Sequence, residues 1–378
     1  MPLTKSQHLD STISPKRMLA LDGGGIRGVL TLEYLGAIEK MLSERTRRPD
    51  FRLCDYFDLI GGTSTGSIIA AGLACGMSVT ELKTLYREIG ASVFKPSILR
   101  RGFMTPKFPS DRVQQALDRY LGADVTLDSD RIRTGLMIMT KRLDTGSPWP
   151  LHNHPDAVYA AQDGKLLLTQ IVRASTAAPT YFEPEEIAIS SRNGDMVQGA
   201  FVDGGVSPFN DPALQLLMLA ALHGHGFRWQ SGASKLLLVS VGTGTRKSNY
   251  STQEIMNMPS AMQGLRALQS LMDDCLRVNQ TMLQWLTDCR TPSTIDRAVG
   301  DLALDGKSGP HLATYVRYNV MLEESWLRAR LGIELTADRL AELAEMDNPD
   351  NMGDLSNIGC KAAGQQLKAE HFPADFDV

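Results

Sequence analysis

The pentapeptide Gly62-Thr63-Ser64-Thr65-Gly66 constrains the fold of this chain more than any other short segment. It follows the mostly apolar residues 57–60 and precedes the small, apolar residues 67–75, an order that predicts a strand, a sharp turn and a helix. Glycines on both sides of the serine let strand and helix approach closely. The pattern indicates a nucleophile at the positive end of a helix. Since short patterns of small residues also arise by chance, an incidental serine in a glycine-rich turn is the alternative from the pentapeptide alone.

Strands alternate with helices over the first two thirds of the chain, which predicts an α/β fold with a mostly parallel sheet covered on both faces. We expect a polar leader over residues 1–15, without the apolar core of a signal peptide. Residues 16–250 then form the α/β domain. Residues 251–378 are expected to be a mostly helical C-terminal extension packed on that domain, with one strand over residues 315–321.

Composition excludes several classes of protein. The 378 residues carry a formal net charge of −4, which argues against binding to a nucleic acid polymer. Five scattered cysteines without a CxxC pair argue against a structural zinc site and for a reducing compartment. No apolar run approaches the roughly 20 residues that a membrane span requires. The sequence therefore predicts a cytoplasmic protein, without a metal, whose contact with a membrane is peripheral.

Four glycine-rich turns follow predicted strands, and they are the candidate site. They cover residues 22–28, 61–66, 203–205 and 242–244. Because the carboxyl ends of parallel strands lie along one edge of a sheet, we expect these turns to meet in one crevice. The convergence favours a single site that combines a serine, a carboxylate and backbone N–H donors.

The first turn, Asp22 to Gly28, can supply N–H donors for an oxyanion, because glycines leave a concave backbone open. The candidate donors are Gly23, Gly24 and Gly25, with Arg27 in support. The alternative is a dinucleotide fingerprint, since the glycines also satisfy GxGxxG. Asp22 would repel a pyrophosphate, however, and no acid follows at the expected offset of about 20 residues.

The base that would activate Ser64 has two candidates. Asp203 ends a predicted strand, and Gly204 and Gly205 permit close approach of another backbone. A carboxylate with an ordinary pKa of about 4 is a weak base unless it is desolvated and in direct contact.

A histidine is the more usual base, and His223 and His225 follow Asp203 in the order of a Ser, Asp, His triad. His223 ends a predicted helix, where a capping role is expected. His152 and His154 are expected in a solvated loop.

With all of its motifs considered together, the chain resembles the patatin-like phospholipases. The motifs that carry the resemblance are Asp22-Gly-Gly-Gly-Ile-Arg-Gly28, Gly62-Thr-Ser-Thr-Gly66, Asp203-Gly-Gly205, Arg173-Ala-Ser-Thr-Ala-Ala-Pro-Thr-Tyr-Phe182, Asn210-Asp-Pro212 and Val241-Gly-Thr-Gly244, and they span residues 18–245. The resemblance implies a three-layer α/β/α patatin-like fold. It also implies that Ser64 is the nucleophile, that Asp203 is its sole catalytic partner, and that the first turn forms the oxyanion hole. Gly62, Gly66, Gly204 and Gly205 complete the motifs.

The resemblance further implies a lipid acyl hydrolase that works without histidine, calcium or any other cofactor and cleaves fatty acyl esters of membrane phospholipids or neutral lipids. Two alternatives accompany it. Some bacterial relatives of similar layout are effectors of antiviral defence, gated by a cyclic nucleotide and forming homo-oligomers, which act at the inner membrane surface. The other is a non-catalytic lipid-binding protein on a hydrolase scaffold.

One segment bears on the membrane. Residues 93–108 contain no acid and interleave large apolar side chains with cations; the candidate contacts are Lys95, Arg100, Arg101 and Phe103. The composition suggests a lid whose apolar side chains enter a bilayer while its cations meet lipid phosphates. A solvated loop with its apolar residues packed against the core is the alternative.

Overall fold

The fold is built on one mixed β-sheet. The computed structural model describes residues 2–93, 110–190, 195–247, 250–302 and 310–378. Its strands are β1 (Lys16–Leu21), β2 (Leu59–Thr63), β3 (Gly135–Arg142), β4 (Ser147–His152), β5 (Glu185–Ser190), β6 (Met196–Asp203), β7 (Leu236–Val241), β8 (Asp288–Cys289) and β9 (Thr314–Tyr318). They follow the order β5-β6-β3-β2-β1-β7-β9-β8, and β4 also pairs with β3.

The centre of the sheet is parallel and one end is antiparallel. β1 lies between β2 and β7 and is parallel to both, and the parallel pairing continues to β3 on one side and to β9 and β8 on the other. β4 and β6 run antiparallel to β3, and β5 runs antiparallel to β6. The prediction of a mostly parallel sheet is confirmed.

Helices cover both faces of the sheet. They are α1 (Lys5–Leu9), α2 (Gly28–Thr46), α3 (Thr65–Ala74), α4 (Val79–Val93), α5 (Ser110–Leu117), α6 (Ala160–Asp163), α7 (Leu168–Ser175), α8 (Ala213–Ala221), α9 (Thr252–Met256), α10 (Ser260–Leu286), α11 (Glu324–Leu331), α12 (Ala337–Leu343) and α13 (Met352–Gln366). None of the helices in the described ranges is long and apolar enough to cross a membrane.

Successive residues of β1 pack into different cores, because side chains alternate across a strand. Leu19 and Leu21 join the core that contains α2, α3 and α13. Met18 and Ala20 join the core on the other face, which contains α8. The arrangement is the three-layer α/β/α fold that the sequence predicts.

Residues after 250 belong to the same sheet as the rest. β9 pairs with β7, and β8 pairs with β9. α13 packs along α2, where Leu355 and Ile358 are buried. The strand expected over residues 315–321 is β9, and together with β8 it gives the C-terminal part an edge of the sheet in addition to the expected helices.

The leader also has a defined place. α1 buries His8 and Leu9 although its sequence is polar. His8 Nδ1 lies 2.8 Å from Oδ1 of Asp58, which also accepts hydrogen bonds from the backbone N–H and Nε of Arg17 through Oδ2. Asp58 thus links His8 of the leader to Arg17 at the start of β1.

Candidate active site

Ser64 lies at the sharp turn between β2 and α3. Its φ of 54° and ψ of −128° place it in a sparsely populated backbone region, which a non-glycine residue adopts only when its surroundings enforce it. The N–H of Ser64 donates to Oγ of Ser175 at 2.9 Å, and that hydroxyl donates to the carbonyl oxygen of Met139 at 2.7 Å. Contacts from α7 and β3 therefore hold the strained turn in place.

The glycines on either side of Ser64 permit a close approach. A Cβ on Gly62 would collide with the carbonyl group of Gly66, and a Cβ on Gly66 would collide with the carbonyl oxygen of Leu21 at the end of β1. Backbone atoms cannot move aside as a flexible side chain can. The spacing of the pentapeptide thus reflects how closely α3 starts above β1 and β2.

Asp203 contacts the serine directly. Oγ of Ser64 donates to Oδ2 of Asp203 at 2.5 Å, and the N–H of Gly205 donates to Oδ1 at 2.7 Å. Asp203 is only 4% exposed. Burial raises the pKa of Asp203 to about 6, against the opposing effect of the two hydrogen bonds. The desolvated carboxylate is a stronger base than an exposed aspartate.

The register of β3 brings the two residues together. Thr63, the last residue of β2, is opposite Met139 in the parallel pairing, and Asp203 is opposite Thr140 in the antiparallel pairing. β6 is antiparallel to β3, so its carboxyl end does not have to lie at the same edge of the sheet as the carboxyl ends of the parallel strands. Asp203 lies beside Ser64 because of the register in which β6 pairs with β3. The turns converge, but one of them does so for a different reason.

The three glycines of the first turn are not equivalent. The N–H of Gly23 donates to the carbonyl oxygen of Asn210 at 3.1 Å, so this donor is already engaged. Within the described residues, no acceptor is hydrogen-bonded to the N–H of Gly24 or Gly25. The set of candidate oxyanion donors therefore narrows from three glycines to Gly24 and Gly25.

Other elements hold this turn from several sides. Oη of Tyr86 donates to the carbonyl oxygen of Gly25 at 2.5 Å. The N–H of Ile26 donates to the carbonyl oxygen of Met346 at 2.9 Å. Oγ1 of Thr243 donates to the carbonyl oxygen of Gly23 at 2.8 Å. Arg27 is half-buried, and its Nε lies 3.4 Å from the carbonyl oxygen of Gly24. Burial lowers the pKa of Arg27, while Asp273 and Asp22 oppose the shift. Arg27 thus contacts the turn that it was expected to support.

The histidines lie in a separate group. The rings of His152 and His225 are 5.6 Å apart, and both His152 and His154 pack on Phe227. His152 and His154 are buried, so the expectation of a solvated loop was wrong. Burial lowers the pKa of His152 to about 3. His223 is exposed in a short turn after α8.

Several residues around the site have contacts that no sequence motif indicates. Asn210 belongs to a short motif, yet only the structure shows that its carbonyl oxygen engages Gly23. Tyr86 contacts the first turn from α4, and Met346 contacts it from the segment before α13. Tyr86 is part of no motif, and the segment that begins at Met346 resembles the tail of bacterial family members without indicating this contact. The candidate lid residues Lys95, Arg100, Arg101 and Phe103 lie outside the described residues.

Comparison with known proteins gives consistent results. The sequence model of the patatin-like phospholipase family matches residues 19–217. A cGAMP-activated phospholipase of Escherichia coli (strain TW11681) is 32% identical over 207 residues, which are 53% of this chain and 55% of the relative. Patatin-17 of Solanum cardiophyllum is 32% identical over 248 residues, or 60% of each chain.

The chain thus spans 55 to 60% of the length of these two curated relatives. Among solved structures, human GIVD cytosolic phospholipase A2 aligns with a TM-score of 0.42 and 10% identity, covering 97% of this chain and 61% of that one. VipD from Legionella pneumophila aligns with a TM-score of 0.36 and 12% identity, covering 91% and 67%.

Proposed function

The chain belongs to the patatin-like phospholipase family, and we propose that it is a calcium-independent serine lipid acyl hydrolase that cleaves fatty acyl esters of membrane phospholipids. In this proposal Ser64 and Asp203 form the catalytic dyad. Gly24 and Gly25 form the oxyanion hole. The carrying observation is the 2.5 Å hydrogen bond from Ser64 to a buried carboxylate. It is supported by the first turn, which lies so close to the serine that a Cβ on Gly23 would be 2.9 Å from the Cβ of Ser64, and in which the N–H groups of Gly24 and Gly25 have no partner among the described residues.

The first half-reaction forms an acyl-enzyme. Oγ of Ser64 attacks the ester carbonyl carbon while its proton passes to Oδ2 of Asp203. The negative charge on the former carbonyl oxygen is stabilised by the N–H groups of Gly24 and Gly25. When the intermediate collapses, the carbon–oxygen bond to the lysophospholipid breaks. The leaving alkoxide takes the proton from Asp203.

The second half-reaction reverses these roles with water. Asp203 accepts a proton from water as the water oxygen attacks the acyl carbon, and the same two N–H groups receive the second oxyanion. Collapse returns the proton to Oγ of Ser64 and releases the fatty acid. Both half-reactions use only groups of this chain and water, and the proposal that no calcium is needed follows the resemblance to the family.

Fatty acid release from phospholipid vesicles tests the proposal. The wild-type protein should release fatty acid with EDTA present, and Ser64→Ala should be inactive. Ser270→Ala, an exposed serine of α10, is the matched control and should retain full activity. Vesicle binding by the wild type without any release, both with and without cGAMP, would favour the non-catalytic lipid-binding alternative.

A gated form of the same activity is the second candidate. It is supported by the relative named a cGAMP-activated phospholipase, which is 32% identical to this chain. In this form the protein would act at the inner membrane surface in antiviral defence, and a cyclic nucleotide would activate it and alter its oligomeric state.

Adding cGAMP to the vesicle assay separates the two forms. Release only in the presence of cGAMP, together with a change in mass by light scattering, would support the gated form. Equal release with and without cGAMP would support the ungated hydrolase.

A further inference from the structure

A buried arginine lies behind the first turn. Arg317, in β9, points its guanidinium at the carboxylate of Asp22, with Nη1 at 2.7 Å from Oδ1 and Nη2 at 2.5 Å from Oδ2. Nη1 also lies 3.1 Å from Oδ2 of Asp211 and 2.5 Å from Oγ of Ser240. The Arg317 side chain is 9% exposed. One guanidinium therefore binds two buried carboxylates and a hydroxyl.

One carboxylate lies in the first turn, and the other lies in the loop that follows the Asp203 turn. Asp22 directly precedes Gly23, and Asp211 directly follows Asn210. Gly23 and Asn210 are joined by the backbone hydrogen bond at 3.1 Å. Through Asp22 and Asp211, Arg317 thus binds both segments that meet at this contact: the first turn and the loop that follows Asp203. A planar, bidentate guanidinium is suited to fixing such a contact, because it restricts orientation as well as distance.

The ion pair also matters for charge. A buried carboxylate at Asp22 is adjacent to the backbone that would receive the oxyanion, and a second negative charge nearby would oppose it. The positive charge of Arg317 offsets this repulsion. Burial raises the pKa of Asp22 to about 7, and Arg317 opposes that shift.

We propose that Arg317 is a positioning residue for the oxyanion hole, which it holds in place through Asp22 and Asp211 and shields from their negative charge. This inference rests on the proposed function. Arg317 lies beyond residues 19–217, the part of the chain that the family model matches. In this role β9, the last strand along the chain, helps to position the catalytic groups.

The test uses the full chain and a soluble ester, p-nitrophenyl butyrate, so that binding to a lipid surface does not enter. We expect Arg317→Met to lower kcat about 100-fold with KM within about twofold of the wild type, because the donors matter most in the transition state. Affinity for a trifluoromethyl ketone, which forms a tetrahedral oxyanion adduct with the serine, should fall by a similar factor. Arg317→Lys keeps the charge but not the planar, bidentate guanidinium, so its kcat should lie between those of the wild type and Arg317→Met.

Arg17→Met is the matched control, because Arg17 is also a buried arginine and forms an ion pair with Asp58 at the start of β1. It should lower the melting temperature but leave kcat unchanged for the folded protein. If Arg317→Met does not fold, Asp22→Asn keeps the side-chain volume and removes one partner charge. We expect it to lower kcat about tenfold at unchanged KM, because the turn loses its bidentate partner and can shift, whereas the repulsion that the substitution relieves is already offset by Arg317 in the wild type.

The outcomes separate the two proposals. An active wild type whose folded Arg317→Met or Asp22→Asn variant keeps the wild-type kcat would overturn the inference alone. A loss of activity that only follows the unfolded fraction, as with Arg17→Met, would do the same. A wild type that neither hydrolyses the ester nor binds the ketone, with and without cGAMP, would overturn the proposed function, and this inference with it.

Discussion

The carbonyl oxygen of Met346 accepts a hydrogen bond from the N–H of Ile26 at 2.9 Å. Met346 lies in the segment between α12 and α13, so a residue from the C-terminal part of the chain contacts the first turn, Asp22 to Gly28. The contact is tight, because a Cβ on Gly25 would collide with the same carbonyl group. The site therefore depends on residues that are more than three hundred positions apart in the sequence.

Gly25→Ala should disable the site. Gly25 has a φ of +60°, a conformation that costs an L-residue about 1–2 kcal/mol, and the new methyl group would push the turn away from Met346. Displacing the two N–H donors should lower kcat by about 100-fold or more. Kinetics on a soluble ester and thermal unfolding would measure both effects.

Gly364→Ala is the control for this substitution. Gly364 lies in α13 and is exposed, and a methyl group at this position would meet no heavy atom within 4 Å. The change should raise the free energy of unfolding by about 0.5–1 kcal/mol and leave kcat unaltered. Wild-type kcat in Gly25→Ala would contradict the assignment of the oxyanion hole.

The pH dependence of kcat/KM should report Asp203. Burial raises its pKa to about 6, and only the ionised carboxylate can accept the proton of Ser64. The carboxyl group is protonated below this value, so activity should be low near pH 5 and rise through about pH 6. A profile of the wild type on a soluble ester, between about pH 4.5 and 8, measures it. A flat profile between pH 5 and 7 would argue that another group is the base.

Substitutions separate the dyad from a histidine triad. Asp203→Asn keeps the size of the side chain but cannot accept the proton, so we expect kcat to fall about 1,000-fold. His223→Asn and His225→Asn should each retain most of the activity, since neither histidine is among the hydrogen-bond partners of Ser64 in the described part of the chain. The reverse pattern would restore the triad.

The buried cluster around Asp58, which includes His8 of the leader, should contribute to stability. This carboxylate is fully buried and accepts hydrogen bonds from His8 and from two groups of Arg17. Asp58→Ala would leave the guanidinium of Arg17 buried without a counter-charge, at a cost of about 3–5 kcal/mol in the free energy of unfolding. Urea unfolding measures it.

The exposed ion pair of Arg328 and Glu324 provides the comparison. Arg328→Ala should change the free energy of unfolding by less than about 1 kcal/mol, because solvent screens the pair. Similar losses for the two variants would mean that the buried cluster contributes no more than a surface contact.

Local patterns predicted the parts of the fold that local chemistry determines. The strand, turn and helix around Ser64 follow from the glycines and the apolar flanks, and the alternation of strands and helices predicted the layers. The motif at Asp203 identified the carboxylate that contacts Ser64.

The remaining features depend on pairing that the sequence does not encode locally. Nothing in β6 distinguishes an antiparallel from a parallel strand, and the engagement of Gly23 depends on where Asn210 lies after folding. Arg317 is one arginine among many until β9 pairs with β7 and brings it beneath Asp22. The burial of His152 and His154 could not be predicted, because the aromatic residue that covers them, Phe227, is distant in the sequence.

The central claim is that Asp203 activates Ser64 for attack on an acyl ester, and trapping the acyl-enzyme tests it most directly. The protein is mixed with an oleoyl phospholipid, quenched in acid within the first turnover, digested and examined by mass spectrometry. We predict an oleoyl adduct on Ser64 in the wild type and none in Asp203→Asn. Fatty acid release with the adduct on another residue, or an undiminished adduct on Ser64 in Asp203→Asn, would contradict the account.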